Sequence, residues 1–188
     1  MENSKTLWWV LGAVVLVLLV GVFMISLGGQ PAQPTLSTGE YLRMGNDLYA
    51  QGRFADAAKQ YEQAVRVDGT NVSARVNLGN AYFALDRLDD AATAFKEGLK
   101  QSPNDADVHS NLAAVLLRQS KVDEALAEVQ TAVRLKPDLA EAHYILGVIY
   151  RQKGDNQNAL AEFQTTLQLT QDARLKAETE ANIAQLQK

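Results

Sequence analysis

A 34-residue period constrains this chain more than any other feature, because a repeat that recurs without insertion commits the chain to building one supersecondary unit several times over. Residues 72–105, VSARVNLGNAYFALDRLDDAATAFKEGLKQSPND, spell the unit, and further copies begin at Thr38, Ala106 and Ala140. With Val72 as position one, position eight holds Gly45, Gly79, Ala113 and Gly147 in the four copies. Position twenty holds Ala57, Ala91, Ala125 and Ala159, and position twenty-four holds Tyr61, Phe95, Val129 and Phe163. Position thirty-two holds Gly69, Pro103, Pro137 and Gln171.

Each copy reads as two helices. In the first, Leu78, Gly79, Tyr82 and Leu85 share a face; in the second, Leu88, Ala91, Ala92, Phe95 and Leu99 follow the spacing of one helical stripe. Asp89 and Asp90 open the second helix and Lys96 and Lys100 close it, as the helix dipole favours. Pro103 and Asn104 are expected to stop that helix and start the next. Glycine inside a helix costs roughly 1 kcal/mol relative to alanine. Three copies accept that cost at position eight, which predicts a close helix–helix approach with the aromatic at position twenty-four packed beside the gap.

These slots carry a resemblance. The period and the small–small–aromatic–proline pattern over residues 38–173 resemble the tetratricopeptide repeat (TPR) family. Departures are few: Leu48 and Leu116 stand where the family favours Tyr, and Gln171 replaces the last proline. The resemblance implies an all-α fold, a right-handed α-solenoid of four helix pairs (38–71, 72–105, 106–139 and 140–173) whose concave groove binds peptides or protein segments. Residues 174–188 read as a terminal capping helix, with Ala177, Ala181 and Ala184 continuing the small-residue stripe, Ile183 and Leu186 adding bulk, and polar residues including Asn182 facing water.

Ahead of the repeats the character changes. Residues 1–6 form a polar tail, and residues 7–27 follow with 18 of 21 hydrophobic and none charged. As a helix this stretch spans about 31 Å, which matches a hydrocarbon core of roughly 30 Å. Trp8 and Trp9 at one end suit an interfacial aromatic belt. A cleaved signal peptide is the competing reading, but its apolar core is typically about 7–15 residues, shorter than this one. Lys5 precedes the span and no Lys or Arg follows until Arg43, so the expectation is a single-pass anchor with the repeats outside the cytoplasm, in a bacterium on the periplasmic side of the inner membrane. Residues 28–37, GGQPAQPTLS, read as an uncharged linker, and Ser37 with Glu40 forms a capping box for the first repeat helix.

Composition narrows function further. A net charge of −4 argues against nucleic acid, which requires a clustered basic surface. There is no cysteine, so disulfides and thiolate chemistry are excluded. His109 and His143, both at position four, are the only histidines; they read as packing residues because a metal centre needs more ligands converging on one point. No Gly-rich phosphate loop, HExxH or nucleophile elbow is present, and neither an enzyme nor a cofactor is implied.

Binding is the remaining chemistry. In the family, first-helix positions two, five, six, nine, twelve and thirteen tend to face the concave side. On this sequence those slots include Asn46, Asn77, Asn80 and Asn111. Asparagine is a mediocre helix former, but it offers a donor and an acceptor for gripping a peptide backbone. Leu42, Tyr49, Val76, Phe83, Leu117, Tyr144, Ile145 and Val148 supply an apolar floor around them. The carboxylate clamp of chaperone-tail-binding relatives would need basic residues where Leu42, Asp107 and Asn111 stand. Arg43, Arg118 and Arg151 are nearby cations for an acidic ligand. The expectation is a membrane-tethered scaffold or assembly factor of the bacterial envelope that grips a protein segment. Self-association into a homo-oligomer through the convex face or the Trp-bearing helix is the second reading.

Overall fold

The computed structural model describes residues 36–187. The expected membrane span at 7–27 and all of the linker before residue 36 lie outside the described residues. Among the described residues no helix is long and apolar enough to cross a membrane. They form nine helices and no strand: α1 (Thr38–Ala50), α2 (Phe54–Val67), α3 (Val72–Ala84), α4 (Leu88–Gln101), α5 (Ala106–Arg118), α6 (Val122–Leu135), α7 (Ala140–Gln152), α8 (Asn156–Leu169) and α9 (Ala173–Leu186). Each helix packs on its neighbours in sequence, and the first helices of successive repeats also touch, which gives the TPR-type solenoid.

The helix starts have local causes. Ser37 and Glu40 form the capping box, the Ser37 amide donating to the Glu40 carboxylate at 2.8 Å. Asn71 caps α3 through Ala74 N–H, and Asp105 caps α5 through Val108 N–H. The cap of α5 is therefore Asp105 and not Asn104, because the Asp105 carboxylate is the one that accepts from Val108 N–H.

Within each repeat the two helices meet at the small slots. Ala57, Ala91, Ala125 and Ala159 are all fully buried. A β-carbon added at Gly79 would lie 2.7 Å from Phe95 Cε1, and one at Gly147 would lie 2.7 Å from Phe163 Cε1. At Gly45 it would run into the Tyr61 ring. The third repeat carries Ala113 where the others carry glycine, and its partner is correspondingly small, the fully buried Val129. The two slots thus trade volume, as close packing of the paired helices requires.

Position fifteen, in the turn between paired helices, requires a left-handed residue. Gly52 (φ 74°) and Gly154 (φ 78°) meet that demand without strain, whereas Asp86 (φ 60°) and Ser120 (φ 61°) adopt it with a side chain. Between repeats, position four of one copy ties to the carbonyl at position thirty-two of the copy before. Arg75 Nε donates to Gly69 O at 2.9 Å, and the His109 and His143 rings contact Pro103 O and Pro137 O at 3.0 and 2.8 Å. Each histidine also meets a glutamate of its own repeat, Glu128 or Glu162, at 2.6 Å. The histidines thus act as ties between repeats as well as packing residues.

The capping helix α9 docks on a face other than the alanine stripe. Ala177, Ala181 and Ala184 are exposed, while Thr179 and Asn182 are buried and Leu175, Ile183 and Leu186 are half-buried. In complete repeats position eight faces the second helix of the pair. Ala181 occupies that position in α9, but no second helix follows among the described residues, so the slot meets solvent. The buried polar groups are satisfied: Thr179 donates to Leu175 O, and Asn182 donates to Glu178 O at 2.8 Å and to Tyr144 Oη at 3.3 Å.

Three substitutions test this packing and the turn between paired helices. Gly79→Ala should lower stability by about 1–3 kcal/mol despite the better helix propensity of alanine. Combining it with Phe95→Val, which copies the third repeat, should cost less in thermal melts than the two single losses summed; strict additivity would refute the volume trade. Ser120→Gly should raise the melting temperature through a gain of roughly 0.5–1 kcal/mol, because it relieves the left-handed strain at the expense of added freedom in the unfolded chain.

Candidate peptide-binding groove

The four asparagines occupy first helices at positions six and nine, where facing helices of adjacent repeats come together. Asn77 Nδ2 on α3 donates to Asn46 Oδ1 on α1 at 3.1 Å, and Asn111 Nδ2 on α5 donates to Asn80 Oδ1 on α3 at 3.4 Å. Both pairs are separated by 31 residues, so in each, position six of one repeat reaches position nine of the one before. The asparagines therefore form two rungs and are not four independent solvated side chains. In each rung one amide oxygen accepts and the other residue's amide nitrogen donates one of its two N–H groups. Asn46 and Asn80 retain an Nδ2 donor, while Asn77 and Asn111 retain an Oδ1 acceptor.

A depression of about 230 Å³ opens beside the first rung, lined by Asn46, Tyr49, Ala50, Tyr61, Asn77 and Asn80. Tyr49 is exposed and rests edge-on against Phe54, with ring centroids 4.9 Å apart. Tyr61 forms the floor, and its hydroxyl donates to Asn46 Oδ1 at 2.8 Å. Sequence reasoning assigned Tyr61 to packing alone. A signal was present: repeat one alone places a hydroxyl on the ring at position twenty-four, where the others have Phe or Val. Burial, reinforced by Tyr49, pushes the Tyr61 phenol up to about 12. Tyr82 is likewise raised to about 12, by burial first and then by its 2.8 Å hydrogen bond to Glu62.

The remaining expected groove residues divide. Leu42, Val76, Phe83, Leu117 and Val148 are half-buried, and Ile145 is almost wholly buried. Tyr144 is half-buried with its ring 5.9 Å from Phe163, and its hydroxyl is engaged by Asn182. In the later repeats the rung slots are apolar or blocked, Ala114 with Ile145 and Val148 with Thr179, so the groove changes from amide-lined to apolar along its length.

Each of the three arginines has a partner within the chain, and the ion pairs of Arg43 and Arg118 are exposed. Arg118 Nη2 pairs with Asp86 Oδ1 at 2.7 Å, with its guanidinium 5.3 Å from the Phe83 ring centroid. Arg151 donates to Asn182 Oδ1 and, at 3.0 Å, to Gln185 Oε1, so it fastens the capping helix. Arg43 lies 3.7 Å from Asp47. Arg118 meets a partner in the preceding repeat, Arg151 meets partners on the capping helix, and Arg43 meets one a turn along its own helix.

Comparison with known proteins agrees with this architecture. The tetratricopeptide repeat profile matches residues 42–106 and 110–174, and the chain belongs to the tetratricopeptide repeat family. A comparison with curated proteins returns no match. Among solved structures, a thermophilic TPR protein from Thermus thermophilus is 24% identical, with 79% of this chain and 80% of that chain covered and a TM-score of 0.69. PilF of Pseudomonas aeruginosa is 19% identical over 79% of this chain and 67% of that one, with a TM-score of 0.70. MamA of Desulfovibrio magneticus is 20% identical over 80% and 94%, with a TM-score of 0.64. These likenesses establish the fold. Proteins of this family serve in protein–protein interaction and assembly.

The two raised phenols give a pH dependence with a definite sign. A phenol whose folded pKa lies above its unfolded value near 10 contributes stability that is complete below about 10 and lost as pH rises towards about 12. Denaturant melts should therefore show stability falling across that window, and Tyr61→Phe should make the fall shallower while keeping the ring that packs on Gly45. An unchanged slope in that variant would mean the hydroxyl at the pocket floor is not held neutral by the fold.

Proposed function

We propose that this protein is a non-catalytic scaffold held at a membrane by residues 7–27, and that it grips an extended segment of a protein partner in the amide-lined part of its groove. The observation that carries the reading is the pair of half-satisfied rungs. Each rung presents a donor and an acceptor, the first rung beside an open depression, and a peptide backbone offers the complementary groups at every residue. An apolar floor with a few placed polar groups is the usual build of a recognition site. The anchor rests on the length and apolarity of residues 7–27, and the orientation rests on Lys5 before the span and the absence of Lys or Arg until Arg43. On that orientation the repeats work in the periplasm of a bacterium, alongside the inner membrane.

The test is crosslinking in native membranes. Wild type is compared with a variant carrying Asn46, Asn77, Asn80 and Asn111 all changed to Ala, and the captured proteins are identified. Loss of a partner in the variant is the expected outcome, and the compartment of that partner reports the topology. Identical partners in both would move the function to the convex face or the membrane-facing segment and sink the groove reading.

A further inference from the structure

The depression beside the first rung differs chemically from the rest of the groove. Its lining residues, Asn46, Tyr49, Ala50, Tyr61, Asn77 and Asn80, are all uncharged. The exposed charges of the groove lie outside that lining: Arg43 pairs with Asp47 at 3.7 Å, Arg118 with Asp86 at 2.7 Å and Asp107 with Lys136 at 3.4 Å. Repeat one is also the only copy whose ring at position twenty-four carries a hydroxyl, and that hydroxyl meets an amide. In repeat two the ring is Phe95, and the Phe83 ring at position twelve has the Arg118 guanidinium 5.3 Å from its centroid.

The hydrogen-bonding capacity left in the lining selects a ligand. Asn46 Oδ1 accepts from Tyr61 Oη at 2.8 Å and from Asn77 Nδ2 at 3.1 Å, so both its lone pairs are used and the plane of its amide is held. Among the described residues nothing accepts from Asn46 Nδ2 or Asn80 Nδ2, and nothing donates to Asn77 Oδ1 or to Tyr61 Oη, whose own proton is spent on Asn46. The site therefore offers donors at Asn46 and Asn80 and acceptors at Asn77 and at the Tyr61 floor. A carboxylate would set its oxygens against those acceptors, and an ammonium would meet the N–H groups with no carboxylate in the lining. Either charge would also lose hydration beside a floor buried enough to raise the Tyr61 phenol to about 12. An aliphatic end would leave all four groups unpaired. A primary carboxamide carries an acceptor oxygen and a donor nitrogen on one carbon without a charge, and of the two side chains that end in one, glutamine has the longer stem.

Resting on the groove reading above, we propose that the depression takes the side-chain carboxamide of a glutamine in the partner segment. Its oxygen accepts from Asn46 and Asn80 Nδ2, its nitrogen donates to Tyr61 Oη and Asn77 Oδ1, and its methylenes lie along the Tyr49 and Tyr61 rings. Backbone contacts alone are the same at every residue of a segment; the glutamine decides which residue stands at the first rung.

The test uses the full chain in detergent micelles and three peptides, acetyl-AAQAA, acetyl-AAEAA and acetyl-AAMAA, each ended as the N-methylamide so that no second primary carboxamide is present. The side-chain amide NMR signals of Asn46, Asn77 and Asn80, assigned through Asn46→Ala, Asn77→Ala and Asn80→Ala, report occupancy. Titration should show the glutamine peptide binding about tenfold more tightly than either of the others. Tyr61→Phe keeps the ring against Gly45 and removes the acceptor at the floor. It should weaken the glutamine peptide roughly three- to tenfold, the loss of about one hydrogen bond, and leave the methionine peptide unchanged. Equal affinity for the three peptides, or an equal loss for the glutamine and methionine peptides in that variant, overturns the proposal. A response to an N-acetylglucosamine trimer and to none of the peptides overturns it in favour of a glycan. Failure of all three peptides to move these signals, while the four-asparagine variant still loses its crosslinked partner, also overturns it and leaves the groove reading intact.

Discussion

The array depends on the contact between a glycine and an aromatic ring inside each repeat. Gly45, Gly79 and Gly147 let the rings of Tyr61, Phe95 and Phe163 lie against the backbone of the preceding helix, closer than any side chain would allow. Helix glycine is costly, so the position is retained only where the burial gained outweighs it; fully burying a ring contributes about 1.5–3 kcal/mol against roughly 1 kcal/mol lost. The third repeat pairs Ala113 with Val129, both fully buried, so a larger residue in the first slot goes with a smaller one in the second. Because each repeat rests on the last, an error at one such contact would be carried down the solenoid.

That fixed geometry is what makes contacts between repeats predictable in kind. Position six reaches position nine of the preceding copy, as Asn77 does Asn46 and Asn111 does Asn80. Position four reaches the carbonyl at position thirty-two, through Arg75, His109 and His143. The same register extends into α9, where Asn182 occupies position nine and is held by Arg151 and Tyr144. A polar contact thus closes the solenoid, its hydrogen bonds satisfied within the chain as burial of such groups demands.

The groove inherits a division from this register. Its first half carries amides with unspent donors and acceptors, an exposed Tyr49 and a depression floored by Tyr61. Its second half replaces the rungs with Ala114, Ile145, Val148 and Thr179 and uses Arg151 to hold the cap. The amide rungs therefore lie in the first three repeats, and Arg151 of the fourth fastens α9.

Much of the fold was legible in the chain because its causes are local or periodic. The helix starts at Thr38, Val72, Ala106 and Ala140 follow from the period, Ser37 and Glu40 announce their own cap, and glycine opposite an aromatic twenty-four positions into the repeat implies close approach. What only the tertiary structure decided involves residues about 30 positions apart, whose meeting depends on the angle between neighbouring repeats. Arg118 and Arg151 stand in the sequence as nearby cations; in the fold Arg118 meets Asp86 of the preceding repeat and Arg151 meets Asn182 of the capping helix. The alanine stripe of α9 has the spacing of a docking face yet is exposed, because the helix that would cover position eight is absent among the described residues. The sequence thus determined which residue types recur and how far apart; the packing of one repeat on the next determined which polar groups are used up and which are left to bind.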